Sequence, residues 1–137
     1  MREYIFKGKK WDNSEWVYGD LIQGGEEGSK WILPIEELKL TEVIKIIPET
    51  VGQYIGTKDK KGNRIFEGDI LKGKFGTGIG GKSTKYKEMN FSVGYHEGSP
   101  SQFFINMPKG YGNYRFCPFL TESEIIGSIH DNPELLK

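Results

Sequence analysis

Hydrophobic positions along this chain alternate over short runs and seldom fall at helical spacing, so the pattern predicts strands. The clearest case is residues 89–96, where Met89, Phe91, Val93 and Tyr95 are separated by Asn90, Ser92, Gly94 and His96. A repeat of two places the two sets on opposite faces of a strand. Residues 15–22 behave similarly, with Trp16, Tyr18 and Asp20 on one face and Val17 and Leu21 on the other. Tyr4-Ile5-Phe6 reads as a short opening strand. Residues 30–35 read as the partner of 15–22 across a glycine-rich hairpin loop at 23–29. Residues 36–47 fit either period and are read as strand, ended by Pro48. Further strands are expected at 50–55, 64–66, 69–75, 102–107, 114–120 and 124–129.

The punctuation between these runs is turn chemistry. Asp59-Lys60-Lys61-Gly62-Asn63 predicts a hairpin turn, Glu67-Gly68-Asp69 a second tight turn, and 73–81, with five glycines, a loop. Only the end reads as helical. There Asp131 or Asn132 is the expected N-cap, Pro133 the first residue, and Glu134-Leu135-Leu136 the body of one turn.

Composition reinforces this reading. Alanine is absent from the 137 residues, glycine numbers 19, and isoleucine and valine together supply another 19. β-Branched and aromatic side chains suit a pleated surface, whereas glycine breaks helices and makes turns. The expected class is therefore mainly β. No apolar run exceeds three residues, which excludes a membrane-spanning helix and a signal-peptide core. One cysteine excludes an internal disulfide and a multi-cysteine metal site. The length suits a single compact domain, and a cytoplasmic location is expected.

Three stretches carry a family resemblance. The run 51–71 is similar to the hallmark of the YopX family, small proteins of bacteriophages and prophages. It matches in Gln53, Tyr54, Gly56, Asp59, Gly62, Ile65, Phe66, Glu67, Gly68, Asp69 and Ile70, and departs at Ile55, Thr57 and Leu71. Ile126-Gly127-Ser128-Ile129-His130-Asp131-Asn132-Pro133-Glu134-Leu135-Leu136 resembles the family's ending, and residues 2–21 resemble its opening. The resemblance implies a β-rich N-terminal region at 1–47, followed by an SH3-like barrel core at 48–137 with a variable loop at 73–120. It implies a phage or prophage origin in a bacterial cytoplasm and no particular activity. Gln53, Tyr54, Gly56, Asp59, Gly62, Glu67, Gly68, Asp69, Gly127, Asn132 and Pro133 are read as structural, because turn glycines and aspartates normally are.

Several chemistries can be weighed. Gly76-Thr77-Gly78-Ile79-Gly80-Gly81-Lys82-Ser83 matches the phosphate-loop pattern letter for letter. Such a loop needs a helix behind it to hold phosphate. Residues 83–95 alternate like a strand instead, and a mobile hairpin loop is the preferred reading. His96 and His130 lie 34 positions apart without ligands at metal spacing. Cys117 has no identified base and reads as a small core residue. Glu36-Glu37 and the pair Glu67 and Asp69 lack a context that would raise a carboxyl pKa. No catalytic residue, metal, cofactor or small-molecule ligand is expected, and the protein is read as non-enzymatic.

Charge adds one asymmetry to this picture. Nineteen basic and nineteen acidic residues cancel overall, yet 58–88 holds nine basic and four acidic residues, a net of +5. Residues 26–50 and 121–137 each come to −3. Lys58, Lys60, Lys61, Arg64, Lys72, Lys74, Lys82, Lys85 and Lys87 are therefore the candidate partner face. Opposite charges on one small protein can meet across copies, so a homo-oligomer is expected, with Trp11, Trp16 or Tyr111 supplying apolar contact. The alternative is a nucleic-acid-binding accessory protein in which Tyr86, Tyr111 and Tyr114 interleave with the basic residues. A nucleotide-binding protein acting through 76–83 is the third reading.

Overall fold

Isoleucine, valine and aromatic residues at every second position leave little for a helix to bury, and the chain folds accordingly. In the computed structural model every regular element among the described residues is a strand or a single 3-10 turn. The structure describes residues 3–35, 42–76, 86–95, 103–106, 113–114 and 120–136. Contacts divide the chain into two units, Met1–Gly56 and Thr57–Lys137. That division falls nine residues beyond the change of region expected after residue 47.

The first unit holds β1 (Phe6–Lys9), β2 (Trp16–Gln23), β3 (Lys30–Pro34), β4 (Ile44–Ile46), a 3-10 turn at Pro48–Thr50, and β5 (Gly52–Lys58), whose last two residues fall in the second unit. Neighbouring strands run antiparallel in the order β4-β3-β2-β1-β5. The first half of β2 pairs with β1 and the second half with β3, Gly19 lying opposite both Phe6 and Pro34. An isolated bridge between Lys10 and Ile46 joins β4 to the residues just past β1. Beside it the Trp11 N–H donates to Lys45 O (3.0 Å) and the Ile47 N–H to Lys9 O (2.8 Å). The sheet is thus curled over Val17, Ile32 and Ile46, with Leu21, Ile44 and Val51 packed against them. Thr50 ties the 3-10 turn in, its hydroxyl donating to Ile47 O (2.6 Å) and accepting the Lys9 N–H (2.9 Å).

The second unit holds β6 (Arg64–Phe66), β7 (Asp69–Gly76), β8 (Tyr86–Tyr95), β9 (Phe103–Asn106), β10 (Asn113–Tyr114) and β11 (Glu124–Ser128). Leu120–Glu122 and Pro133–Leu136 are 3-10 turns. Five strands form an antiparallel sheet in the order β10-β9-β8-β7-β11. Ile65, Ile70, Leu71 and Phe91 are wholly buried, and Met89 and Val93 nearly so. The alternation at 89–95 marks this core strand, although Ser92 is buried as well.

Several expectations need adjustment. The first strand starts at Phe6 rather than at Tyr4, and the Tyr4 side chain is exposed. The strand expected at 69–75 is present and runs one residue further, to Gly76, so the loop expected to begin at 73 does not begin there. The strand's glycines sit in the ladder opposite β8, Gly73 facing Met89 and Gly76 facing Tyr86. Cross-strand pairing there overrides glycine's weak strand preference. Much of the supposed variable loop at 73–120 is β8, β9 and β10. The barrel expected at 48–137 is not found: among the described residues β7–β11 form an open sheet. Residues 36–41, 77–85, 107–112 and 115–119 lie outside the described residues, so part of the expected strand at 36–47, most of that at 114–120 and the phosphate-loop lysine lie there too.

Candidate functional site

The hallmark residues are held by backbone geometry. Asp59 opens the turn between β5 and β6 and is buried. One of its oxygens accepts the N–H groups of Lys61 (3.0 Å) and Asn63 (2.9 Å), and the other accepts that of Ile125 in β11 (3.1 Å). Burial pushes the Asp59 carboxyl up, but the donors Ile125, Asn63 and Lys61 outweigh it and hold the group below its ordinary value. The Lys60 N–H adds a bond to the carbonyl of Ser123, itself fully buried (2.9 Å). Asp59 thus joins a local turn to a strand 66 residues away.

Gly68 and Asp69 form the second junction. Gly68 has φ +90°, a left-handed conformation that glycine adopts freely. Its N–H donates to Val93 O (2.8 Å) and its carbonyl accepts the Ile129 N–H (2.9 Å), so one turn clasps β8 and the C-terminal segment. The buried Asp69 accepts the Phe66 N–H (2.8 Å). In β11 a register shift falls between Ile125 and Gly127, and a side chain at Gly127 would stand 2.6 Å from Asn132 Oδ1. Gly127 and Asn132 therefore belong together by close approach. Pro133 starts the last 3-10 turn, and Gly62 completes the Asp59 turn at φ +84°. In the first unit Gln53 pairs with Phe6, Tyr54 is buried with its N–H on Ile5 O (2.7 Å), and Gly56 has φ +93°. None of this aims reactive groups at a common point. Contrary to the expectation for the pair Glu67 and Asp69, burial raises the Glu67 carboxyl above its ordinary value.

The candidate basic face is interleaved with acid. Lys61 and Lys60 both pair with Glu124 (2.5 and 3.6 Å), and Lys72 pairs with Glu88 (3.4 Å). The Lys61 ammonium holds the Glu124 carboxyl low and is itself held high by it. Lys60, Lys72 and Lys74 share the lining of a groove of about 290 Å³ with Glu88, Glu122 and Glu124. Three ammonium groups face three carboxylates, which leaves no net positive field at that place. Lys58 and Arg64 are exposed, Lys82 and Lys85 lie outside the described residues, and Lys87 is placed only by its position in β8.

A different surface is open in the first unit. On β2, Tyr18, Asp20 and Ile22 are exposed while Val17 and Gly19 are buried. Directly opposite residues share a sheet face, so Leu33 beside Asp20 and Trp31 beside Ile22 lie on that outer side. Ile35 follows, its N–H bonded to Tyr18 O (3.1 Å). Tyr18, Ile22 and Ile35 are 45%, 40% and 43% exposed. Lysines sit over the aromatic rings of this side: Lys7 and Lys9 over Trp16 at 4.3 and 5.5 Å, and Lys45 over Trp31 at 5.8 Å. The alternation at 15–22 carries this signal in sequence, since an outward set of tyrosine and isoleucine is not the polar set that a solvated face normally bears. Of the residues expected to supply apolar contact, Trp11 is exposed, Trp16 half-buried, and Tyr111 outside the described residues.

The remaining candidates contribute little geometry. The segment matching the phosphate-loop pattern starts at Gly76, the last residue of β7, and otherwise lies outside the described residues; the next described element is the strand Tyr86–Tyr95, antiparallel to β7. His130 donates its N–H to Ser128 Oγ (3.1 Å), and its ring nitrogen stands near Gly68. His96, Cys117, Glu36 and Glu37 lie outside the described residues. Among the described residues no three His, Cys, Asp or Glu side chains gather as metal ligands, and no helix is long and apolar enough to cross a membrane.

Comparison with known proteins agrees with the resemblance. A family model described as YopX protein matches residues 5–137. No curated protein matches. Among solved structures, protein EF1440 from Enterococcus faecalis is similar in fold, with a TM-score of 0.52 and 22% identity over the whole of both chains.

Proposed function

The chain belongs to the YopX family, and from that membership and the open face of the first sheet we propose that it is a non-enzymatic binding or structural module that works as a homo-oligomer. The observation that carries this reading is the outward set Tyr18, Ile22, Leu33 and Ile35 on β2, β3 and the residue after β3. Exposed apolar side chains gathered on one sheet face of a small protein mark an interaction site, and here Asp20 is the polar member among them. A second copy suits it, because a face presenting the same residues from both sides can close a twofold contact. The phage or prophage origin and the cytoplasmic location are part of the same proposal. So is an SH3-like barrel, which we assign to the first unit rather than to 48–137. Its support is the strand order β4-β3-β2-β1-β5, the return bridge at Lys10 and Ile46, and the 3-10 turn before β5.

The nucleic-acid alternative has less support, since Glu124 and Glu88 already engage Lys60, Lys61 and Lys72. A sedimentation series separates the two. Ile22→Lys combined with Ile35→Lys should lower the sedimentation coefficient toward that of one chain, while Lys60→Glu with Lys61→Glu should leave it unchanged. The opposite pattern, with DNA or RNA binding lost in the lysine variant, would replace the first reading by the second.

A further inference from the structure

The first unit has a second open feature, a solvent-facing groove of about 580 Å³ between the loop joining β2 to β3 and the 3-10 turn after β4. Trp11 forms one wall, Pro48 part of the apolar lining, and Glu26, Glu27 and Glu49 the acidic margin, with Lys45 also present. The Trp11 side chain is the most exposed large hydrophobic of the described residues, at 61%. It is also placed with care: its backbone N–H is bonded to Lys45 O, and Lys45 Nζ stands 5.0 Å from the ring centre. An indole fixed by its backbone yet left open costs hydrophobic free energy unless something covers it.

Charge says what kind of group that is. Three carboxylates face one ammonium, and that ammonium is engaged with the rings of Trp11 and Trp31. The margin repels phosphate backbones and attracts cations. A guanidinium satisfies both features, stacking flat on indole and offering paired donors to carboxylates. Proline suits the apolar part, because an extended proline-rich chain brings flat rings to an aromatic wall and loses little conformational freedom on docking. We propose that this groove docks an extended peptide segment of another protein that carries arginine and proline. The groove uses none of the outward residues Tyr18, Ile22, Leu33 and Ile35, although Lys45 reaches the rings of both Trp11 and Trp31, and the proposal does not rest on self-association.

The direct test is fluorescence anisotropy with the whole chain and a labelled nonapeptide, Arg-Pro-Leu-Pro-Arg-Pro-Leu-Pro-Arg. Saturable binding tighter than about 1 mM is expected. Trp11→Ala should weaken it at least about tenfold, as loss of an aromatic anchor does. Glu26→Lys with Glu27→Lys, two exposed loop positions, should abolish it. A peptide with alanine in place of every proline should bind less well. Absence of saturable binding, or equal affinity in both variants, overturns the proposal. Equal binding of the alanine peptide overturns the extended proline-bearing ligand. A wild-type groove that accepts peptide only after dilution dissociates an oligomer would make a second copy the occupant instead. Light scattering on the same samples reads the oligomer separately.

Discussion

At the scale of single residues, backbone conformation explains the hallmark better than chemistry does. Gly68 stands at φ +90°, and a side chain there would meet Ile129 and His130 only at ordinary contact distance. The cost of replacement is therefore conformational rather than steric. Gly68→Val should lose about 1–3 kcal/mol by denaturant unfolding; an unchanged midpoint would mean that the turn is not held in this form. The turn itself was legible from Glu67-Gly68-Asp69. The clasp it makes on Val93 and Ile129 was not, because those partners lie 25 and 61 residues away in sequence. Glu67 adds a pH test. Its pKa is raised in the folded state, so its contribution to stability is most favourable below the ordinary glutamate pKa and is lost as pH rises through the raised value. Glu67→Gln should accordingly raise the melting temperature at neutral pH, and the gain should shrink on acidification. A gain that grows toward low pH would contradict the burial argument.

At the scale of elements, periodicity identified what packing later used. Residues 89–95 alternate because Met89, Phe91 and Val93 enter a core, and 15–22 alternate because Val17 does. At 73–75 the strand and loop readings overlapped, and pairing with β8 decides for strand through Gly76 despite the glycines. The same limit applies to Asp59. Its turn was readable from Asp59-Lys60-Lys61-Gly62-Asn63, whereas its bond to Ile125 is a tertiary contact. Because Asp59 is held below its ordinary pKa, its stabilisation is present above the unfolded carboxylate value and is lost as pH falls through the folded one. Asp59→Ala should cost about 1–3 kcal/mol at neutral pH and speed amide exchange at Lys61, Asn63 and Ile125 together. Faster exchange at the two turn amides alone would show that the link to β11 contributes nothing.

At the scale of the whole molecule, charge counting and surface geometry diverge. The net of +5 over 58–88 suggested a basic face, but acidic residues distant in sequence, Glu122 and Glu124, stand among its lysines. The outward apolar set on β2 and β3 was half legible: Tyr18 was assigned its face, while Ile22, Leu33 and Ile35 gained theirs only from strand register. If those residues join copies, contact is mainly apolar, and salt should change the assembly little. Nucleic-acid binding would instead weaken steeply with salt, by a slope of about −0.7 per phosphate contact on single strands. The most direct measurement is the mass of the purified chain by multi-angle light scattering at low and at high salt. A whole-number multiple of 15.6 kDa, twofold or greater, is expected at both. A mass of 15.6 kDa at every concentration tested would contradict it.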